Sequence, residues 1–293
     1  MDTKNEQATV YLDFNATAPI RRSVLDLFRS DGARVPSNPS SPHGLGRRAA
    51  RRFEDACRAI ATALGVAPSG VIITSGATES NNMAVRSIAP EWFDSVWVDP
   101  TAHASILGPL RERLGDDLVK YFPVDENGSL DLHSLDALKP TPKAIFAMAA
   151  NNETGVLTDV ARLADYCQSR GTWLHVDATQ AIGRTPVDWN VPGIASVSFS
   201  GHKIGALSGV GAQLWKVPDG PSSTSRGGQQ QRGRRAGTEP VVLAEALATA
   251  TAEACAEVDL ESARLRALRD RLEERLLELR PDIVFVGRHA ARL

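Results

Sequence analysis

The chain has 293 residues, 42% of them apolar and 23% charged, with a net charge of -2. That length holds one large domain and part of another, and the composition is that of an ordinary globular protein. The near-balanced charge gives no footing for a nucleic-acid or polyanion partner, and no apolar run approaches the roughly 20 residues needed to span a bilayer.

The first residues, Met1 to Gln7, lack the apolar core of a signal peptide, so a cytoplasmic location is the expectation. Short apolar runs then alternate with helical patterns, which predicts a layered α/β fold with a largely parallel sheet. The expected strands are Val71–Thr74, Ser95–Val98, Ala144–Met148, Trp173–Val176 and Ser196–Phe199. Val160–Ser169 has helical spacing through Leu163, Tyr166 and Cys167. Ser222–Gly237, rich in Gly, Ser, Gln and Arg, is expected to be a loop. A long helix is expected from about Val241 to Leu279, with Leu265, Leu268, Leu272, Leu276 and Leu279 on one face and Pro281 ending it. Ile283–Val286 then has the pattern of a further strand. Cys57, Cys167 and Cys255 are far apart, with neither a disulfide framework nor zinc-site spacing, and no metal site is expected.

Each of the five central apolar runs ends in small and polar residues. The clusters are Ser75–Asn82, Asp99–His103, Asn151–Gly155, Asp177–Gln180 and Ser200–Lys203. In an open parallel sheet the carboxyl ends of the strands share one ligand crevice, so the clusters should converge; unrelated surface loops are the alternative. Gly76-Ala77-Thr78 opens a helix after a strand, where free N–H groups and the helix dipole suit a phosphate. A plain cap would use the same residues. Asp177 ends a strand that reads as buried, and a carboxylate there needs a cation or strong donors, either a protonated ring nitrogen or a nearby arginine. His103 could stack on a flat ring or exchange protons, whereas His43, His133, His175 and His289 read as structural. Lys203 follows Ser-Gly-His directly after a strand, with Gly205, Gly209 and Gly211 beyond it. Burial in a crevice would lower its pKa and make it a nucleophilic amine.

Together these clusters resemble the cysteine desulfurases, pyridoxal-phosphate proteins of the class V aminotransferase group. The resemblance starts at Tyr11–Thr17 and Asn38–His43. It continues through Thr74–Asn81, Asn151–Gly155, His175–Gln180 and Ser198–Lys203 to Arg226–Glu239. Asn-Asn-Glu-Thr-Gly and Gly-Arg-Arg-Ala-Gly-Thr-Glu are most similar to the nitrogen-fixation type. The resemblance implies the fold-type-I architecture, three layers around a mainly parallel mixed sheet. A large cofactor domain would span residues 14–258, and an incomplete small α+β domain residues 1–13 and 259–293. It implies that Lys203 forms the Schiff base with pyridoxal 5'-phosphate and that His103 stacks on the ring and assists proton transfer. Asp177 would partner the ring nitrogen and Gln180 the ring hydroxyl. Ala77, Thr78, Ser200 and His202 would hold the phosphate, Gly201 would also contact the cofactor, and Asn152 would lie near the cofactor and the substrate carboxylate. Thr238 would reach the phosphate of a second subunit's cofactor, implying a homodimer. The activity implied is removal of sulfur from L-cysteine to give L-alanine and an enzyme-bound persulfide. An iron–sulfur scaffold protein would be the acceptor, in cluster assembly and, for the nitrogen-fixation type, nitrogenase iron chemistry.

Two departures stand out. Where the family usually continues after the lysine with Gly-Pro-Lys-Gly, this sequence has Ile204–Gly209. The family's persulfide cysteine and a substrate-binding arginine lie further downstream, so the chain is expected to be C-terminally truncated. Cys57, Cys167 and Cys255 all sit in helical patterns and read as structural or surface thiols. A selenocysteine lyase, another class V pyridoxal-phosphate enzyme, and a paralogue that holds the cofactor as a dimer partner or scaffold are the competing readings. Uncovered apolar surface is expected along Leu265–Leu279.

Overall fold

A computed structural model describes residues 10–29 and 38–293. Residues 1–9, which include the leader reading and most of the 1–13 segment, lie outside the described residues. The strands are β1 Val71–Thr74, β2 Val96–Val98, β3 Lys120–Tyr121, β4 Ala144–Met148, β5 Trp173–Asp177, β6 Ile194–Ser200 and β7 Gly211–Trp215. They form one sheet in the order β1-β7-β6-β5-β4-β2-β3. Strand β7 is antiparallel to both its neighbours, and every other pairing is parallel. The expected mixed, mainly parallel α/β sheet is therefore observed.

Strands β1, β2, β4, β6 and β7 are buried along their whole length. Helices covering both faces explain this and the near-continuous apolar runs. Alternate residues of β4 separate into two cores. Ile145 and Ala147 face the core shared with helices α1 (Arg22–Arg29), α2 (Gly44–Ala63), α5 (Val160–Arg170) and α6 (Val241–Leu279). Ala144, Phe146 and Met148 face the core shared with α3 (Ala77–Arg86) and α4 (Ala104–Leu114). Two cores on opposite faces of one sheet give the three layers.

Two short elements were not expected. Strand β3 is only two residues long, and β7 carries a buried Gln213 that interrupts its apolar pattern. The expected strand at Ile283–Val286 is absent: this segment forms turns, and Val284 and Val286 are 86% and 62% exposed. β-propensity alone does not make a strand without a ladder to join. The tail beyond it instead bridges Arg292 to Val156, with Leu293 N–H donating to Gly155 O at 2.9 Å. The long helix is observed as expected, and Arg280 follows its last turn. In its distal half Leu268, Leu272 and Leu279 are 51%, 59% and 76% exposed, as anticipated, whereas Leu265 and Leu276 of the same face are half-buried. The 222–237 loop docks on the free edge of β1, where the Gln231 amide exchanges hydrogen bonds with Ile73 N–H (2.7 Å) and Ile73 O (2.8 Å).

Candidate active site

Strands β1, β2, β4, β5 and β6 run in one direction, so their carboxyl ends meet at one edge of the sheet. A cavity of about 680 Å³ opens there. All five polar clusters line it, through Ala77 and Thr78, His103, Asn152, Asp177 and Gln180, and Ser200, His202 and Lys203.

Lys203 lies in a one-turn helix, Gly201–Lys203, directly after β6. Its Nζ donates to the Asn15 carbonyl at 2.7 Å. Burial and the Arg184 guanidinium push the amine below the usual lysine value, while the Asp13 and Asp177 carboxylates oppose them. A lowered pKa enlarges the neutral, nucleophilic fraction at physiological pH. The turn is tied down from several sides. Gly201 N–H donates to Val210 O, Arg184 Nη2 to Lys203 O, Arg21 Nε to Ile204 O, and Ala18 N–H to His202 O, all at 2.9–3.0 Å. Gly205 takes φ +86, and a Cβ there would come within 3.0 Å of Pro19 O. The segment that departs from Gly-Pro-Lys-Gly is thus anchored by hydrogen bonds in place of a proline. Gly201 does not line the cavity but is the buried pivot of this turn.

Asp177, 3% exposed, is the last residue of β5. Its Oδ1 accepts from Thr179 N–H at 2.9 Å and its Oδ2 from Asn81 Nδ2 at 2.8 Å. An ionised carboxylate has further lone pairs, so Asp177 can still receive a protonated ring nitrogen. Gln180 follows in the next turn. Its Oε1 accepts from Arg184 Nη1 and its Nε2 donates to Asn15 O at 3.3 Å. A guanidinium only donates, so it fixes the amide with its NH₂ group pointing away from Arg184.

The phosphate end also fits. Helix α3 starts at Gly76, which has φ +155 and no capping side chain. The first intrahelical bond is Ser80 N–H to Gly76 O, so the N–H groups of Ala77, Thr78 and Glu79 precede it. Ala77 and Thr78 line the cavity beside Ser200 and His202, so the helix start and its dipole face it. A Cβ on Gly76 would come 3.2 Å from Ser200 Oγ, so a side chain there would crowd the cradle. His202 Nδ1 bonds Thr17 Oγ1 at 3.1 Å, and burial with the Lys203 and Arg184 charges lowers its pKa.

His103 caps α4, its Nδ1 accepting from Ser105 N–H at 3.1 Å, and its ring lines the cavity. Asn152 also lines the cavity, its carbonyl accepting from Asn15 Nδ2 at 2.7 Å. Thr238 does not line this cavity. The three cysteines also lie away from it. Burial pushes Cys57 and Cys167 up to about 12, and raises Cys255 as well. His43 caps α2, and fully buried His175 bonds Ser196 and Asn81, both consistent with structural roles. Sequence reasoning gave no role to Asn15, Thr17, Asn81, Ser105 or Arg184. Asn15 and Thr17 lie in the Tyr11–Thr17 stretch and Asn81 in the Thr74–Asn81 stretch, which were the available signals.

A lysine at a strand end, a buried carboxylate across the cavity and an uncapped helix start define a protein built to hold a flat, phosphorylated carbonyl cofactor. The chain belongs to the aminotransferase class-V family, which residues 10–292 match, and its cofactor is the pyridoxal 5'-phosphate of that family. The human cysteine desulfurase is 34% identical over 286 residues, covering 95% of this chain and 63% of that protein. The cysteine desulfurase IscS of Klebsiella pneumoniae is 35% identical over 278 residues, covering 90% and 68%. Among solved structures, a NifS-like protein from Rickettsia africae superposes with a TM-score of 0.87 at 28% identity, covering 97% of this chain and 79% of that one. DndA from Streptomyces lividans gives 0.78 at 32% identity, covering 97% and 82%. The chain thus spans about 63% of the length of the mammalian desulfurases it matches.

Proposed function

We propose that this chain is the cofactor-bearing part of a cysteine desulfurase, taking sulfur from L-cysteine to leave L-alanine. The observation that carries the reading is Lys203 at the end of β6, with a lowered pKa and an amine in the same cavity as Asp177 and His103. Pyridoxal phosphate, when bound, supplies an electron sink for bonds at the substrate α-carbon. Lys203 supplies the amine that anchors it. Asp177 holds negative charge at the ring-nitrogen end, Gln180 offers N–H donors to the ring oxygen, and His103 exchanges protons at the face. Ala77, Thr78, Ser200 and His202 hold the phosphate, and Asn152 stands where a substrate carboxylate would come.

The remaining assignments belong to the same reading. Thr238, outside this chain's own cavity, serves a second subunit's cofactor in a homodimer. Residues 14–258 act as the large domain, and 259–293 with the N-terminal 1–13 as part of a small one, with α6 running unbroken across the boundary. The sulfur goes to an iron–sulfur scaffold protein in the cytoplasm, and the Asn-Asn-Glu-Thr-Gly wording favours nitrogen-fixation iron chemistry. None of the described helices is long and apolar enough to cross a membrane.

Borohydride treatment of the pyridoxal-phosphate-loaded protein, followed by peptide mass spectrometry, tests the central assignment. The label is expected on Lys203 and should vanish in Lys203→Ala. A label on another lysine, or none, would sink it. A polypeptide of these 293 residues is expected to release little or no sulfide from cysteine. Its three thiols lie away from the cavity, and burial raises all three pKa values, whereas a thiolate must take the sulfur. The same thiols favour a second reading, a cofactor-holding partner subunit. Robust release in reducing buffer would eliminate that one.

A further inference from the structure

Beneath the cavity floor, a chain of buried polar groups joins two site residues that lie on different elements. Asn81 on α3 is fully buried and makes bonds in four directions. Its Nδ2 donates to Asp177 Oδ2 and to Ser105 Oγ, both at 2.8 Å. Its Oδ1 accepts from His175 Nε2 at 2.9 Å and from Ser198 Oγ. Ser105 Oγ in turn lies 2.8 Å from His103 Nδ1.

The hydrogens in this chain follow from donor and acceptor chemistry. The Asp177 carboxylate only accepts, so the amide NH₂ of Asn81 must face it and also Ser105. Ser105 Oγ therefore accepts from Asn81, and its own hydrogen is left to donate. Its neighbour is His103 Nδ1, which already accepts from the Ser105 backbone N–H, an obligate donor. Nδ1 keeps its one lone pair, which the Ser105 N–H and hydroxyl share in a three-centre bond with the hydroxyl the nearer donor, and the neutral ring carries its hydrogen on Nε2. The amide polarity likewise puts the His175 hydrogen on Nε2, with Nδ1 accepting from Ser196 Oγ at 2.8 Å.

We propose that Ser105 is a positioning residue for His103, its hydroxyl aimed by Asn81 so that His103 meets its substrate with Nε2–H. The functional value of this arrangement rests on the reading of His103 as a proton-exchanging group, but the tautomer does not. Asn81 places one amide between the ring-nitrogen partner and the proton-exchanging ring, so the two are held by a single side chain. Half-satisfied buried networks are costly, which favours one hydrogen arrangement over its alternatives.

Nitrogen-15 NMR of histidine-labelled, cofactor-free protein in mildly alkaline buffer tests this, with His103 assigned by His103→Gln. The expected wild-type signature is a pyridine-type Nδ1 and a pyrrole-type Nε2. Losing one neutral hydrogen bond shifts an equilibrium by about fivefold. Ser105→Ala should therefore move His103 toward the tautomer average by a factor of that size while His175 stays put. Asn81→Ala should move His103 in the same direction. A wild-type His103 protonated at Nδ1, or a Ser105→Ala spectrum that superimposes on wild type, overturns the proposal. So does a folded Asn81→Ala protein with unmoved His103 signals. Pyridoxal-phosphate uptake, read as yellow colour in the same samples, reports separately on the cofactor site. Failure there would strike the functional reading and leave the tautomer assignment standing.

Discussion

The strand-end crevice and the distal half of α6 are held in opposite ways. Around Lys203, backbone groups from residues 18, 201, 203, 204 and 210 are hydrogen-bonded across long stretches of sequence, and the strands beneath are buried on both faces. Along α6 beyond residue 259, Leu260, Leu268, Leu272 and Leu279 stand more than half exposed; Glu273 makes a buried pair with Arg292, but the near-neighbour pairs Arg264–Glu261, Arg269–Asp270 and Arg275–Glu278 each have an exposed member. Such exposed pairs contribute little. The first region is over-determined by tertiary contacts, which is what a site requiring sub-ångström placement needs. The second has the geometry of a helix without its apolar partner, and its last turns should open at low cost.

Phe199, 1% exposed on the strand that leads into the Lys203 turn, is the sharpest lever on this difference. Phe199→Ala should cost about 3–5 kcal/mol in urea unfolding, because it opens a cavity in close-packed surroundings. A cost below about 1 kcal/mol would mean that the crevice is far looser than its bonding suggests.

The buried network gives a second, pH-dependent lever. Burial pushes His175 from an ordinary value near 6.5 down to about 3. Between those values the unfolded chain binds a proton there that the folded chain does not. The stability from neutral His175 is fully present above about pH 6.5 and is lost on acidification at up to about 1.4 kcal/mol per pH unit. His175→Gln, which keeps an N–H donor for Asn81, should flatten that slope between about pH 6 and pH 4 relative to wild type. Equal slopes in the two proteins would show that His175 is protonated in the folded state.

The same contrast explains what could be read from the sequence. The five central strands were legible because burial on both faces leaves almost unbroken apolar runs. Their polar ends were legible as a site because parallel topology brings carboxyl ends together. Strand β3 has two residues on an edge, and β7 is broken by Gln213, so neither had a pattern to recognise. Ile283–Val286 had the pattern without the pairing partner that would make it a strand. In the site, Lys203, Asp177 and His103 were marked by their chemistry and position. The Asn15 carbonyl leaves no trace in sequence, since every residue has one. Ser105 becomes visible only when α3 and α4 pack together over β5, and Asn81, although inside the Thr74–Asn81 stretch, shows its role only there.

The smallest expected effect lies at the other end of the comparison. Leu268 and Leu272 are four residues apart on one face of α6 and are 51% and 59% exposed. Replacing both with Gln removes little buried area and keeps good helix formers in place. The change in unfolding free energy should stay within about 0.5 kcal/mol per site. Backbone exchange in 260–279 should already be fast in wild type relative to β4–β6, and the double variant should leave that ratio unaltered. A loss of several kcal/mol, or strong protection of 260–279 that disappears in the variant, would mean that this face is covered in solution. The crevice and the distal helix would then be equally well packed, and the distinction between them would disappear.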